Sequence, residues 1–323
     1  MGVQTTRRRV ATNGVELDLI EAGRPGNPVI VLVHGFPESS NSWRHQIAPL
    51  VEAGYHVLVP DQRGYGASTK PTEVADYRVD HLCADLVGLL DDVGADDAIF
   101  VGHDWGAMVV WDLSRLFPDR VRGLVNVSVP YTAWPAPPTE LMKAMWTDRF
   151  FYILYFQEVG PAEAELEANV ARTLRSTLWG GSAEMFGPMP TEFPPMEGTG
   201  FLDSITRSKP VPDGLPNWIS ADEFAVYVEQ FETSGFFGPL SWYRNLDADY
   251  ELTKDLPAPA MPTAFIGGTK DGVIAHRPEY VEAMSSMLPD FRGIRMIDEA
   301  GHWTQQEKPA EFNTALLDLL TRL

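Results

Sequence analysis

One five-residue segment, Gly102-His103-Asp104-Trp105-Gly106, restricts the fold of this chain more than any other. The run before it, Ala98-Ile99-Phe100-Val101, is apolar and suits a buried strand. The run after it, residues 107–113, suits a packed helix. Glycines two residues to either side of Asp104 permit a turn too tight for side chains. The spacing is that of the strand–turn–helix elbow G-x-S-x-G, with aspartate in place of serine. A carboxylate needs no base to act as a nucleophile at neutral pH. Asp104 therefore points to attack on an alkyl carbon and an ester intermediate, where a serine would acylate.

Such an elbow needs a sheet around it. Residues 15–20 alternate apolar and polar, as a half-exposed strand does. Val29–Val33 is a continuous apolar run, as in a strand covered on both faces. Residues 56–59 and 121–129 read as further strands, and Val79–Val93 as an amphipathic helix. Strands alternating with helices imply a mostly parallel sheet with helices on both faces. The rhythm stops over residues 131–256, which show no clear strand and many aromatic residues. Helical patches at 162–177 and 221–232 flank a Pro/Gly-dense stretch, 187–216. That stretch is too long for an ordinary loop and is expected to be functional or mobile. The rhythm returns with a strand at 262–267, a helix at Pro278–Met287, a strand at 293–297 and a closing helix at Pro309–Leu320. The expected architecture is an α/β core, residues 1–130 and 257–323, interrupted by a helical cap, residues 131–256.

Composition narrows the partners. A formal net charge of -20 argues against a polyanion, so nucleic acid is not expected. Arg7-Arg8-Arg9 is the only basic cluster and reads as a solvated start to the first strand. A single cysteine, Cys83, rules out an internal disulfide and fits a cytoplasmic setting. Its place on an apolar helical stripe makes it a buried structural thiol. No apolar stretch resembles a signal peptide or a membrane span. The sequon Asn126-Val127-Ser128 lies in an expected core strand and reads as accidental.

Three segments should converge at the carboxyl ends of the strands, where ligands sit in open α/β sheets. They carry Asp104, then Asp271 within Gly268-Thr269-Lys270-Asp271-Gly272, then His302 within Ala300-Gly301-His302-Trp303. The chain order nucleophile, acid, base is that of the α/β-hydrolase fold. His302 would deprotonate the water that cleaves the ester, and Asp271 would hold the imidazole. Asp298 and Glu299 compete with Asp271 but stand too close to His302 along the chain. His34-Gly35-Phe36-Pro37 follows an expected strand. The amides of Phe36 and Trp105 are the expected oxyanion donors. A cis Phe36–Pro37 peptide would fit a tight turn there. His103 is expected to pack or hydrogen-bond, His34 to order the oxyanion loop, and Asp61-Gln62-Arg63-Gly64 to brace it. His45, His56, His81 and His276 show no ligand spacing, so no metal is expected.

These segments make the chain resemble a soluble epoxide hydrolase of the α/β-hydrolase fold. The resemblance rests on His34-Gly35-Phe36-Pro37-Glu38-Ser39, Asp61-Gln62-Arg63-Gly64-Tyr65-Gly66, the elbow, and Gly301-His302-Trp303. In the cap it rests on residues 151–158 and on Trp242-Tyr243-Arg244-Asn245. It implies that two cap tyrosines, Tyr152 and Tyr243 by motif, bind the epoxide oxygen and protonate it, with Tyr155 a competitor for the first role. A phenol with a pKa near 10 is protonated at neutral pH and can donate. It also implies a small-molecule epoxide and water as partners and no cofactor, with a homodimer left open. The multidomain relatives carry an N-terminal phosphatase domain, for which this chain has no room. Asn126 stands where some relatives place an acid. A haloalkane or haloacid dehalogenase would share Asp104, His302 and Trp105 but would not need paired phenols. A non-catalytic binder on the same fold would have lost a triad member, and none is missing.

Overall fold

Eight strands build one sheet in the computed structural model, which describes residues 3–188, 192–206 and 209–323. They are β1 (Thr5–Thr12), β2 (Val15–Ala22), β3 (Val29–Val33), β4 (His56–Asp61), β5 (Ala98–His103), β6 (Val121–Val127), β7 (Thr263–Gly268) and β8 (Phe291–Ile297). Their spatial order is β1-β2-β4-β3-β5-β6-β7-β8. β1 and β2 form an antiparallel pair, and β2 joins β4 antiparallel. From β4 to β8 every pairing is parallel. β5 therefore lies in the middle, with the elbow at its carboxyl end.

β3 shows why these residues make a doubly covered sheet. All five of its residues are buried, and successive side chains point to opposite faces. Val29, Val31 and Val33 join the cluster that holds helices Val79–Val93 and Trp105–Leu116. Ile30 and Leu32 join the opposite cluster, with helices Arg44–Glu52 and Pro309–Leu320. Each such side chain contributes about 1.5–3 kcal/mol of burial. Cys83 is fully buried in the first cluster, as its stripe predicts.

The strands expected from sequence are all present, with ends shifted by a few residues. β1 is longer than its arginines alone imply. Those arginines are not merely solvated: Arg7 pairs with Asp18 and Asp61, Arg8 with Glu21 and Asp92, and Arg9 with Glu16. The helix expected over 162–177 is two helices, Pro161–Glu167 and Val170–Gly181. Asn169 breaks the run because its side chain accepts the Arg172 amide and caps the second helix. The stretch 187–216 is not wholly irregular, because it contains the helix Phe201–Thr206. Glu165 accepts the first two amides of that helix, Phe201 and Leu202. Residues 189–191 and 207–208 of this stretch lie outside the described residues.

Among the described residues, 131–256 contain helices and one isolated bridge, Arg149 to Pro195. Helix Phe237–Arg244 was not expected. Six of its eight residues are buried, so it shows no polar stripe to betray helical periodicity. The helical segment is fastened to the core beside the last strand. Gly181 O accepts the His302 amide at 2.7 Å, and Leu178 O accepts the Trp303 indole N–H at 2.8 Å. Glu307 accepts the amides of Ala183, Gly301 and Trp303. No helix among the described residues is long and apolar enough to cross a membrane.

Candidate active site

The elbow is as tight as its glycines require. Asp104 has φ 52° and ψ -119°, a positive φ that only a constrained turn imposes on aspartate. A Cβ on Gly106 would strike the Val33 carbonyl, and one on Gly35 would strike Asp104. The two loops can touch only because both positions lack side chains. β3 and β5 pair with Val33 beside Gly102, so the loop after β3 lies against Asp104. There the Phe36 amide donates to Asp104 Oδ1 at 2.9 Å. The Trp105 amide opens its helix and makes no hydrogen bond to this carboxylate. The Phe36–Pro37 peptide is cis.

His302 follows β8, and Asp271 follows β7. His302 Nε2 stands 3.4 Å from Asp104 Oδ2, and His302 Nδ1 stands 3.2 Å from Asp271 Oδ1. The imidazole thus lies between two carboxylates, in the order read from the sequence. Asp298 and Glu299 turn elsewhere: Asp298 accepts the Thr269 hydroxyl, and exposed Glu299 pairs with Lys270. Burial lowers the affinity of His302 for its proton, but the Asp271 and Asp104 carboxylates outweigh it and raise His302 well above the ordinary histidine range. Burial likewise raises Asp104, but His302, His103 and the Phe36 amide outweigh it and hold Asp104 below the usual carboxylate range. Asp104 is therefore ionised at neutral pH and paired with a charged imidazole.

A second, fully buried layer supports this one. Glu38 and His103 are both inaccessible to solvent. Glu38 Oε2 stands 2.6 Å from His103 Nδ1 and accepts the Gly35 amide at 3.0 Å. Its Oε1 accepts the side-chain amides of Gln305 and Gln306, each at 3.1 Å. His103 Nε2 donates to the His302 carbonyl at 2.8 Å. Burial raises Glu38, but His103 and the Gly35 amide outweigh it, so Glu38 remains a carboxylate. One side chain thus ties together the loop after β3, the elbow and the His302 segment. His34 has a defined tautomer: its Nε2 accepts the Gln62 amide, so its Nδ1 carries the hydrogen donated to Gly35 O. Arg63 braces the neighbouring loop through two bonds to Asp85, at 2.8 and 2.7 Å.

Above the elbow sit the two motif tyrosines. The Tyr243 ring packs edge-on against Phe36 at 5.5 Å and Trp105 at 4.9 Å, the two residues flanking Asp104 across the loops. Tyr152 packs edge-on against Tyr243 at 6.0 Å. Tyr155 turns away toward Phe150 and Glu165. Burial raises Tyr152 and Tyr243 above the usual tyrosine range, and the Asp104 charge adds to this, so both phenols stay protonated.

The chain is similar to known proteins over nearly its whole length. The model of the alpha/beta hydrolase fold family matches residues 28–194. Epoxide hydrolase A of Mycobacterium tuberculosis is 47% identical, with 98% of each chain covered. The chain belongs to the epoxide hydrolase family of the α/β-hydrolase fold. The crystal structure of epoxide hydrolase A from Mycobacterium thermoresistibile matches with a TM-score of 0.88 and 45% identity, covering 98% of each chain. An epoxide hydrolase from an endophytic Streptomyces matches with a TM-score of 0.89 and 34% identity, over 98% of this chain and 95% of that one. Bifunctional epoxide hydrolase 2 of mouse is 37% identical over 95% of this chain but only 54% of its own length.

The sequence located the residues gathered around Asp104 better than those that support them. Glu38, Gln305 and Gln306 were missed. Glu38 stands inside a quoted motif, and an acidic residue beside a buried apolar loop is a signal for a buried partner. Nothing in the sequence pairs it with His103. Asn126 is buried on β6, and neither end of its side chain has a hydrogen-bond partner among the described residues. The imidazole instead faces Asp271.

Proposed function

We infer that this chain is an epoxide hydrolase, adding water to an epoxide to give a vicinal diol through an ester on Asp104. Asp104 Oδ2 attacks a ring carbon, and the carbon–oxygen bond of the ring breaks. The departing oxygen takes a proton from Tyr152 or Tyr243. In the ester, Asp104 has lost its negative charge, and with it part of what kept His302 protonated. The imidazole can then give up its proton to the phenolate left by ring opening and act as base, still oriented by Asp271. His302 Nε2 accepts a proton from water as the oxygen bonds to Asp104 Cγ. The resulting oxyanion forms on Oδ1, where the Phe36 amide already points, with the Trp105 amide as second donor. Collapse breaks the bond from Cγ to Oδ2, the departing oxygen takes the proton of the new Cγ hydroxyl, and the diol leaves Asp104 ionised beside protonated His302. The same reading assigns residues 1–130 and 257–323 to the core and 131–256 to the cap, and the single thiol agrees with a cytoplasmic setting.

The observation that carries this reading is the phenol pair packed over the nucleophile. A halide leaves without a proton and needs no such pair. Diol formation from styrene oxide, with halide release from chloroalkanes at background, is the expected result. Halide release without diol would favour dehalogenation, and epoxide binding without turnover would favour a non-catalytic binder.

A further inference from the structure

Glu307 touches no reacting atom, yet its carboxylate holds the backbone on both sides of His302. Oε2 accepts the Gly301 amide at 3.1 Å, and Oε1 accepts the Trp303 amide at 3.1 Å. Oε2 also accepts the Ala183 amide at 3.0 Å, just beyond helix Val170–Gly181. The last residue of that helix completes the clasp, because Gly181 O accepts the His302 amide at 2.7 Å. A Cβ on Gly301 would strike the Ala183 amide, the Gly181 carbonyl and Glu307 Oε1, so only glycine permits this approach. Among the described residues no cation pairs with Glu307. Burial raises its pKa above the ordinary range, the three amides oppose this, and Asp271 adds to it. Backbone amides alone stabilise its charge, and they belong to the loop that carries the imidazole and to the helical segment beside it.

The demand on this clasp changes during the reaction. In the free enzyme two carboxylates hold the imidazole, Asp104 at 3.4 Å and Asp271 at 3.2 Å. In the ester the charge on Asp104 is gone, and Asp271 alone still attracts the ring. The aim of Nε2 at a water then depends more on the backbone that carries His302. That backbone is pinned at each polar atom. Its amide donates to Gly181 O, and its carbonyl accepts His103 Nε2 at 2.8 Å and the Ser128 hydroxyl at 3.3 Å. Glu307 holds the amides on either side.

We propose that Glu307 is a positioning residue for ester hydrolysis. It fastens the His302 loop to the end of helix Val170–Gly181 and keeps the imidazole aimed after Asp104 has lost its charge. This role rests on reading His302 as the base that cleaves the ester. A clasp with a purely structural role would behave differently, since its loss would lower the folded fraction and slow both chemical steps alike.

Single-turnover quench of the whole chain with styrene oxide resolves ester formation from ester hydrolysis, and calorimetric melts report the folded state beside it. Glu307→Ala removes all three bonds. Hydrolysis should slow about tenfold or more, within the factor of about 10² to 10⁴ that a positioned base supplies, and formation should change by less than about twofold. Glu307→Gln keeps the shape of the side chain and one acceptor oxygen. With that oxygen on Gly301 and Ala183 it loses only the Trp303 bond, so hydrolysis should slow severalfold, between the parent and the alanine variant. Should the alanine variant not fold, the glutamine variant carries the test. Equal slowing of both steps would overturn the proposal, as would hydrolysis at the parent rate in a folded glutamine variant. A parent that forms no ester on Asp104 would overturn the ester reading and this proposal with it. Parent turnover through the ester, unchanged in the Glu307 variants, would overturn this proposal alone.

Discussion

Replacing Glu38 by glutamine tests the buried layer most severely. Both oxygens of Glu38 accept two donors: Oε2 takes Gly35 and His103, and Oε1 takes Gln305 and Gln306. A glutamine has one acceptor oxygen. Whichever way it turns, its amide nitrogen faces two hydrogens, and the charge opposite His103 is gone. Breaking a fully buried ion pair costs about 3–5 kcal/mol. Each donor left unmet costs about 1–3 kcal/mol, though these terms do not add fully. Taking about 3–5 kcal/mol as the sum, the unfolding midpoint should fall by roughly 6–20 °C at 2–4 °C per kcal/mol. Kinetics should suffer in the same variant, because the Gly35 amide holds the loop that aims the Phe36 amide at Asp104 Oδ1. Hydrolysis of the ester should slow more than its formation, since the oxyanion forms only in the second step. Calorimetric melts and rapid-quench kinetics measure both effects. A midpoint within about 2 °C of the parent, with both steps intact, would refute a charged pair that positions the loop.

The two phenols and the imidazole make separate predictions. Tyr152→Phe and Tyr243→Phe should each slow ester formation by about 10- to 100-fold, the worth of one hydrogen bond to a developing charge, and leave ester hydrolysis unchanged. Single-turnover quench data resolve the two steps, and equal loss in both would contradict proton donation. In acid, ester should accumulate. Its formation needs only ionised Asp104, which His302, His103 and Phe36 hold below the usual range despite burial. Its hydrolysis needs neutral His302, which is lost as pH falls through the imidazole pKa of the esterified enzyme. Mass spectrometry of quenched steady-state samples should show a bound fraction that rises as pH falls, and a flat or falling fraction would contradict the charge argument.

What the chain discloses by itself follows from the range of its interactions. Asp104, Asp271 and His302 were legible because each follows an apolar strand and carries its own glycine. Local rules sufficed for them. The break at Asn169 was legible in principle, since an asparagine in mid-helix is a capping residue. Helix Phe237–Arg244 was not legible, because burial on nearly all sides removes the polar stripe. The Glu38–His103 pair joins residues 65 positions apart, and the bonds from Glu38 to Gln305 and Gln306 span 267 and 268. No local pattern encodes such pairings; only the sheet order, which sets β3 beside β5, brings them together. The arginines of β1 are solvated, as read, but their acidic partners were not legible for the same reason, since these come from β2, β4 and helix Val79–Val93.

The decisive feature of the chemistry is the bond between substrate and Asp104. His302→Gln keeps the nucleophile, the phenols and the Phe36 amide but removes the base. Incubated with styrene oxide and digested, it should yield a peptide containing Asp104 that is heavier by the mass of one epoxide, with little diol formed. Consumption of the epoxide with the Asp104 peptide unmodified would contradict an ester intermediate at this carboxylate.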